Sequence, residues 1–378
     1  MKKEILFSPG PTNVPSEILL EGAKRTIHHR TKAFTAMLEK AEKGLAGAFD
    51  TKGDVYILTS SGSGGMETAV VNFLSRNDNV LILNTGAFGR RWANIVKAYG
   101  IMADVLEYPW GESFKLRDVE AKLKDKKYKA VLCQLGETST GTVNDIKALG
   151  GIMPKDTLLI VDAVSSLMTE EFHMDKWNVD ICVSGSQKGL MMPPGLAFIA
   201  LRKGLDAELG KGDLPSFYFS LVHAKASREK GQTPWTPAVN LIYQLNKALE
   251  MLKEEGLDNV IQRHKDMASI ARKTVVEMGL ELFSSAPSNG ITAVKVPEGM
   301  DGSKLIEHIC EKYGVRFANG QREYKGKIIR IAHMGYVTVP DILMALNCLW
   351  LGLKKYGFKA RPGAIITALE TAAGLDNK

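Results

Sequence analysis

The stretch Val179-Asp180-Ile181-Cys182-Val183-Ser184-Gly185-Ser186-Gln187-Lys188-Gly189-Leu190 runs from a short apolar segment into small residues that surround one lysine. A β-branched run of this length, closed by glycines, predicts a buried strand at 179–183. Lysines ordinarily lie on polar surfaces with the ammonium in water. Lys188 instead falls where a buried strand ends, among residues small enough to let other groups come close.

The same pattern recurs outward from this point. Apolar runs at 55–58, 80–83, 103–106, 130–135, 157–161, 179–183 and 196–201 alternate with amphipathic stretches such as 91–99 and 116–124. Continuous apolar strands separated by helices predict a mostly parallel sheet covered on both faces. Ligands of such sheets gather at the carboxyl ends of the strands. A long amphipathic segment at 239–255 leads away. Beyond it, strands at 291–296 and 328–332 and helices at 302–313 and 339–356 predict a smaller α/β unit. The expected division is an extended, proline-bearing arm at 1–15, a large domain at 16–255 and a small C-terminal domain at 256–378.

Each strand end carries a group with chemistry. After 55–58 comes Thr59-Ser60-Ser61-Gly62-Ser63-Gly64-Gly65-Met66-Glu67, entering a helix near Gly64, where free amides and the helix dipole favour an anion. It is not a P-loop, because no GK[ST] follows, and Glu67 spoils the dinucleotide fingerprint. After 80–83 comes Phe88 in a loop, a flat face for a planar ligand. Thr138 follows 130–135, Asp162 follows 157–161, and Lys188 comes 26 residues after Asp162, one strand–helix–strand excursion later. Taken singly, these are a turn, a core aromatic, a turn hydroxyl, a cap and a surface lysine or ion pair. Taken together they supply a phosphate cradle, a ring face, a hydroxyl, a carboxylate and an amine, the set that pyridoxal phosphate requires. A desolvated lysine has a lowered pKa and can attack a carbonyl.

Composition limits the alternatives. Of 378 residues, 45% are apolar and 24% charged, as in a soluble globular protein, and no apolar run reaches the roughly 18 residues that span a bilayer. Only Ile5-Leu6-Phe7 precede the first proline turn, too few for a secretory signal, so a cytoplasmic protein is expected. Cys133, Cys182, Cys310 and Cys348 form no CxxC pair and the seven histidines are scattered, so no metal site is expected. Basic residues exceed acidic ones by 49 − 42 = 7 without a basic run, which argues against a nucleic-acid tail.

The chain resembles class V aminotransferases of PLP fold type I, in the alanine–glyoxylate, serine–glyoxylate and serine–pyruvate branch. The resemblance rests on SPGPTNVP (8–15), HHR (28–30), SGSGGMETA (61–69), NTGAFGRRW (84–92), GETSTG (136–141), VDAVSS (161–166), SGSQKGLMMPPGLAF (184–198) and IIRIAHMG (328–335). It implies a large domain built on a seven-stranded, mostly parallel sheet and a smaller C-terminal domain. By the same resemblance, Lys188 bonds the aldehyde of pyridoxal 5'-phosphate and Asp162 pairs with its ring nitrogen. Phe88 stacks on the ring, Thr138 lies near the phenolic oxygen, and Ser63, Gly64, Gly65 and Gln187 hold the phosphate. Arg330 grips the substrate carboxylate by a bidentate pair. It also implies a homodimer with active sites at the interface, where Thr233 and Thr236 of segment 231–237 reach the neighbouring phosphate. The implied activity is ping-pong transamination from serine or alanine to glyoxylate or pyruvate.

An aspartate donor would need a second cation, for which Arg25, Arg30, Arg90, Arg91 and Arg322 are candidates. A cysteine desulfurase needs a mobile thiol, which Phe88 and the helix-like setting of Cys310 oppose. A nucleotide-binding dehydrogenase leaves Lys188 without a task. Intact Lys188, Asp162 and Arg330 oppose a non-catalytic subunit of a larger assembly.

Overall fold

The computed structural model describes residues 4–375. Strand β1 (Ile5–Phe7) comes first. Then follow β2 (Val55–Thr59), β3 (Asn79–Asn84), β4 (Met102–Glu107) and β5 (Ala130–Gln134). A hairpin of β6 (Gly136–Glu137) and β7 (Thr142–Val143) precedes β8 (Leu158–Asp162), β9 (Ile181–Gly185) and β10 (Leu196–Leu201). The last strands are β11 (Ile291–Lys295), β12 (Val315–Asn319) and β13 (Ile328–Ala332).

Seven of these strands form one sheet in the order β2-β10-β9-β8-β5-β3-β4. All neighbours run parallel except β10, which is antiparallel to both β2 and β9. The reason is local. Residues 186–195, between β9 and β10, hold no helix, and a parallel return needs a longer crossover. The central strands β5, β8, β9 and β10 are almost wholly buried, whereas β4 at the edge alternates exposed and half-buried positions. Alternate residues of the central strands face opposite cores. Val131, Cys133, Leu159 and Val161 meet helices Lys32–Phe49 and Val239–Glu255 on one side. Ala130, Leu132 and Ile160 meet helices Gly62–Phe73 and Ala87–Ala98 on the other. The sheet is thus covered on both faces, the fold type expected from the apolar runs.

One connection differs from expectation. Between β8 and β9 the chain makes a series of turns over 163–180 rather than a helix. Met168 lies in left-handed backbone at φ 72°, and the hydroxyl of Thr169 bonds the Ser165 carbonyl, so the segment coils locally instead of winding on. The two strands are still parallel neighbours, with Asp162 opposite Val183. This pairing brings the end of β8 beside the residues that lead to Lys188.

A second, four-stranded sheet has the order β1-β12-β13-β11. The expected N-terminal arm therefore contributes an edge strand, with Ile5, Leu6 and Phe7 paired parallel to Val315, Arg316 and Phe317. Helix Leu257–Glu277 joins the two units, its Val260 packing in the large core and Met267 onward in the small one. Strand β13 carries Arg330 at its centre, and the segment after β1 carries Pro9 and Gly10. Both elements face the carboxyl ends of β8 and β9. No helix among the described residues is long and apolar enough to cross a membrane.

Candidate active site

Lys188 ends the turn after β9 and is only 6% exposed. Its Nζ donates to the Pro9 carbonyl, and its own carbonyl accepts from the Thr12 hydroxyl at 3.3 Å. The arm passes so close that only glycine fits at position 10. A Cβ there would fall 2.5 Å from Lys188 Cε, and the backbone lies at φ 102°. Burial lowers the pKa of the amine to about 7, and the nearby Arg330 and Arg91 cations push the same way against Asp162 and Glu137. A neutral amine at ordinary pH is a nucleophile and a base.

Asp162 closes β8 and is also buried. Its Oδ1 accepts from the Val164 amide at 2.8 Å. Burial raises its pKa to about 6; the Val164 bond opposes this, Glu137 adds to it, and Arg91 and Lys188 lower it. A carboxylate so desolvated is poised to take a cationic partner.

Glu137 received no role from the sequence, although it sits inside GETSTG. It is fully buried, and its Oε2 accepts the amides of Phe88 at 3.0 Å and Gly89 at 3.1 Å. Its Oε1 accepts the Ser139 amide at 3.0 Å. Desolvation raises its pKa against these bonds. A carboxylate suits this place because it faces the positive end of helix Ala87–Ala98. Phe88, expected in a loop, lies in the first turn of this helix, and Glu137 thereby ties that turn to the loop bearing Thr138. An acid that closely follows an apolar strand and precedes Thr138-Ser139-Thr140 is the signal that could have revealed it.

Ser63, Phe88, Thr138, Asp162, Gln187, Lys188 and Arg330 all line one cavity of about 280 Å³. Gly62 opens helix Gly62–Phe73 against the other side of the cavity, and a Cβ there would meet Val164 at 2.6 Å. Gly64 and Gly65 do not line the cavity. Their amides bond the Ser61 carbonyl, and Gly65 allows the helix to lie against Val183 of β9. Among the described residues, the amides without a partner belong instead to Gly62 and Ser63, because the helix starts two residues earlier than the glycine spacing suggested. Thr233 and Thr236 stand apart in the same chain, beside Tyr218 and Pro234. Arg91 lines the cavity, whereas Arg25, Arg30, Arg90 and Arg322 do not. His28 and His29 lie outside it and stack on each other at 4.9 Å.

Arg330 is held by carbonyls alone. Its Nε and Nη2 donate to Asn319 O at 2.9 and 2.7 Å, and Nη1 donates to Thr138 O at 2.8 Å. Burial depresses its pKa to about 10, with Glu137 opposing. Among the described residues no carboxylate pairs with it. A buried guanidinium without a counter-ion is a carboxylate receptor. The site therefore joins a neutral amine, an acid waiting for a cation and a cation waiting for an acid.

A family model described as Aminotransferase class-V matches residues 5–341. Among curated proteins, an uncharacterized aminotransferase of Methanocaldococcus jannaschii is 41% identical, covering 97% of each chain. An L-aspartate–glyoxylate aminotransferase of Paracoccus denitrificans is 34% identical, over 97% of this chain and 95% of its own. A serine–glyoxylate aminotransferase of Methylorubrum extorquens is 33% identical, over 96% and 94%. Among solved structures, a ureidoglycine–glyoxylate aminotransferase of Bacillus subtilis superposes with a TM-score of 0.94 at 28% identity, over 99% of each chain.

The Lys188 geometry sets a pH dependence. The amine takes its proton near 10.5 in the unfolded chain and near 7 in the fold. Between those values the unfolded chain binds the extra proton, so stability rises with pH there, and the full cost of burial is present below 7. The cofactor-free protein is expected to gain up to about 1.4 kcal/mol per pH unit from this group between pH 7 and 10. Denaturant titrations of wild type and Lys188→Met check this. The variant should lose that slope, and equal slopes would contradict the burial of the amine.

Proposed function

Because the chain belongs to the class V aminotransferase family, we propose that it moves an amino group from serine or alanine to a 2-oxo acid such as glyoxylate or pyruvate. The family's cofactor is pyridoxal 5'-phosphate, which supplies an aldehyde for an amine and a conjugated ring that draws electron density from the substrate Cα. The residues present suit it. Gln187 lines the cavity with a side chain whose amide N–H can donate, and Ser63 adds a hydroxyl beside the amides of a helix start. These would hold the phosphate, Phe88 the ring face, Thr138 the phenolic oxygen and Asp162 the ring nitrogen.

The observation that carries the reading is a buried amine that shares one cavity with a buried arginine lacking a carboxylate partner among the described residues. Above pH 7, Lys188 Nζ can accept a proton from the donor Cα and return it, as a general base and acid. Asp162, at its carboxylate oxygens, would stabilise a protonated ring nitrogen. Arg330 orients the α-carboxylate in the bidentate mode. A single carboxylate receptor serves donor and acceptor in turn, which suits two alternating half-reactions. Pro9 and Gly10 lie against the amine, which is only 6% exposed to water.

Glyoxylate as acceptor draws support from the names of three of the similar proteins. For the donor, the cavity offers Arg330 as carboxylate receptor, and its other arginine, Arg91, is tied to Ser63 at the helix start rather than placed on β13 beside Arg330. This favours a small donor over aspartate. None of the four cysteines lines the cavity, which counts against desulfuration. We further infer a homodimer in which Thr233 and Thr236 serve the neighbouring cavity. Its support is the exposed aromatic face beside them, where Phe217 is 70% exposed and its ring lies 4.7 Å from that of Trp235 in a tilted pair.

A screen of serine, alanine, aspartate and cysteine against glyoxylate, pyruvate and 2-oxoglutarate tests the substrates. Serine or alanine with glyoxylate or pyruvate should give the highest kcat/KM, with parallel-line kinetics. Preference for aspartate, or sulfide release from cysteine, would refute the assignment. Arg330→Lys should raise KM for the amino acid on the order of tenfold or more, from loss of a charge-assisted pair. For the assembly, the mass in solution should be twice 41.4 kDa, and Thr236→Val should weaken cofactor retention. A monomer that keeps its cofactor would contradict the shared site.

A further inference from the structure

Arg91 sits one helical turn after Phe88 in helix Ala87–Ala98 and lines the cavity. Its Nη1 donates to Ser63 Oγ at 2.7 Å, and its guanidinium carbon lies 4.4 Å from the Phe88 ring centroid. Among the described residues no carboxylate comes within ion-pair distance of it. The helix that carries Ser63 has no acidic residue in its first turn and no side-chain cap, and the amides of Gly62 and Ser63 have no partner among the described residues. Donors without acceptors and a cation without a counter-ion therefore converge on one end of the cavity.

We propose that Arg91 is an anion-binding residue of this chain that pairs with the phosphate of the bound cofactor, adding a same-chain cation to the helix start and Gln187. The assignment rests on the reading of the cavity as the pyridoxal 5'-phosphate site. A phosphate dianion matches the guanidinium fork, and its remaining oxygens match the helix amides. The bond to Ser63 ties the cation to the cradle rather than to β13, where Arg330 receives the substrate. The stack on Phe88 holds the guanidinium plane in place and limits the freedom lost on binding. The distal carboxylate of a dicarboxylic donor would present similar chemistry, and the experiment separates the two.

Cofactor is removed from the holoenzyme, and dissociation constants are measured by absorbance for pyridoxal 5'-phosphate and for unphosphorylated pyridoxal. Native protein, R91Q and R91K are compared. R91Q should weaken pyridoxal 5'-phosphate at least about tenfold, the loss of one charge-assisted bond, and pyridoxal by less than about twofold. R91K should keep most of the affinity, and inorganic phosphate should compete with the cofactor for the native protein better than for R91Q. Equal weakening of both aldehydes would reduce Arg91 to support for Phe88 and overturn the proposal. So would unchanged cofactor affinity with a KM rise confined to aspartate, which would assign Arg91 to the donor. If native protein binds no pyridoxal 5'-phosphate at all, the cofactor reading itself fails.

Discussion

Keeping one amine out of water at the end of β9 is the constraint on which the rest of this structure depends. A lysine buried without compensation shifts its pKa and gives up its charge rather than stay ionised. Here compensation is deliberately partial. Asp162 and Glu137 favour the charged form, burial and two arginines oppose it, and the balance lies near neutrality. The same balance raises Asp162 and lowers Arg330, so three groups are left short of partners. Each deficiency matches one part of a small amino acid joined to an aldehyde cofactor.

The two sheets share the work. The large sheet presents Asp162 and Lys188 because β8 and β9 are parallel neighbours in near register. The small sheet supplies β13 with Arg330 and, through β1, holds the arm that lays Pro9 and Gly10 over the lysine. Arg330 donates to Thr138 O across this junction, and Glu137 anchors both Phe88 and the Thr138 loop. The site is therefore a property of the packing between units, and a shift of either sheet would move several of its groups together.

Much of this was legible in the sequence because it depends on local pattern. The seven apolar runs became the seven strands of one sheet, and the groups following them met in one cavity because strand ends of a parallel sheet share an edge. What was not legible depends on long-range contact. The strand at Ile5–Phe7 forms only against Val315–Phe317. The turn-rich path from 163 to 180 is set by Met168 and Thr169, where spacing alone suggested a helix. Gly64 and Gly65 read as ligand contacts, yet their contacts are with packed neighbours. Arg91 was one of several equivalent arginines until its bond to Ser63 set it apart.

The central claim is that Lys188 is the amine that bonds the cofactor. Borohydride reduction of the holoenzyme, followed by digestion and mass spectrometry, tests it most directly. The account predicts a single pyridoxyl-phosphate adduct, on the peptide that contains Lys188. An adduct on a different lysine, or none on any peptide, would contradict it.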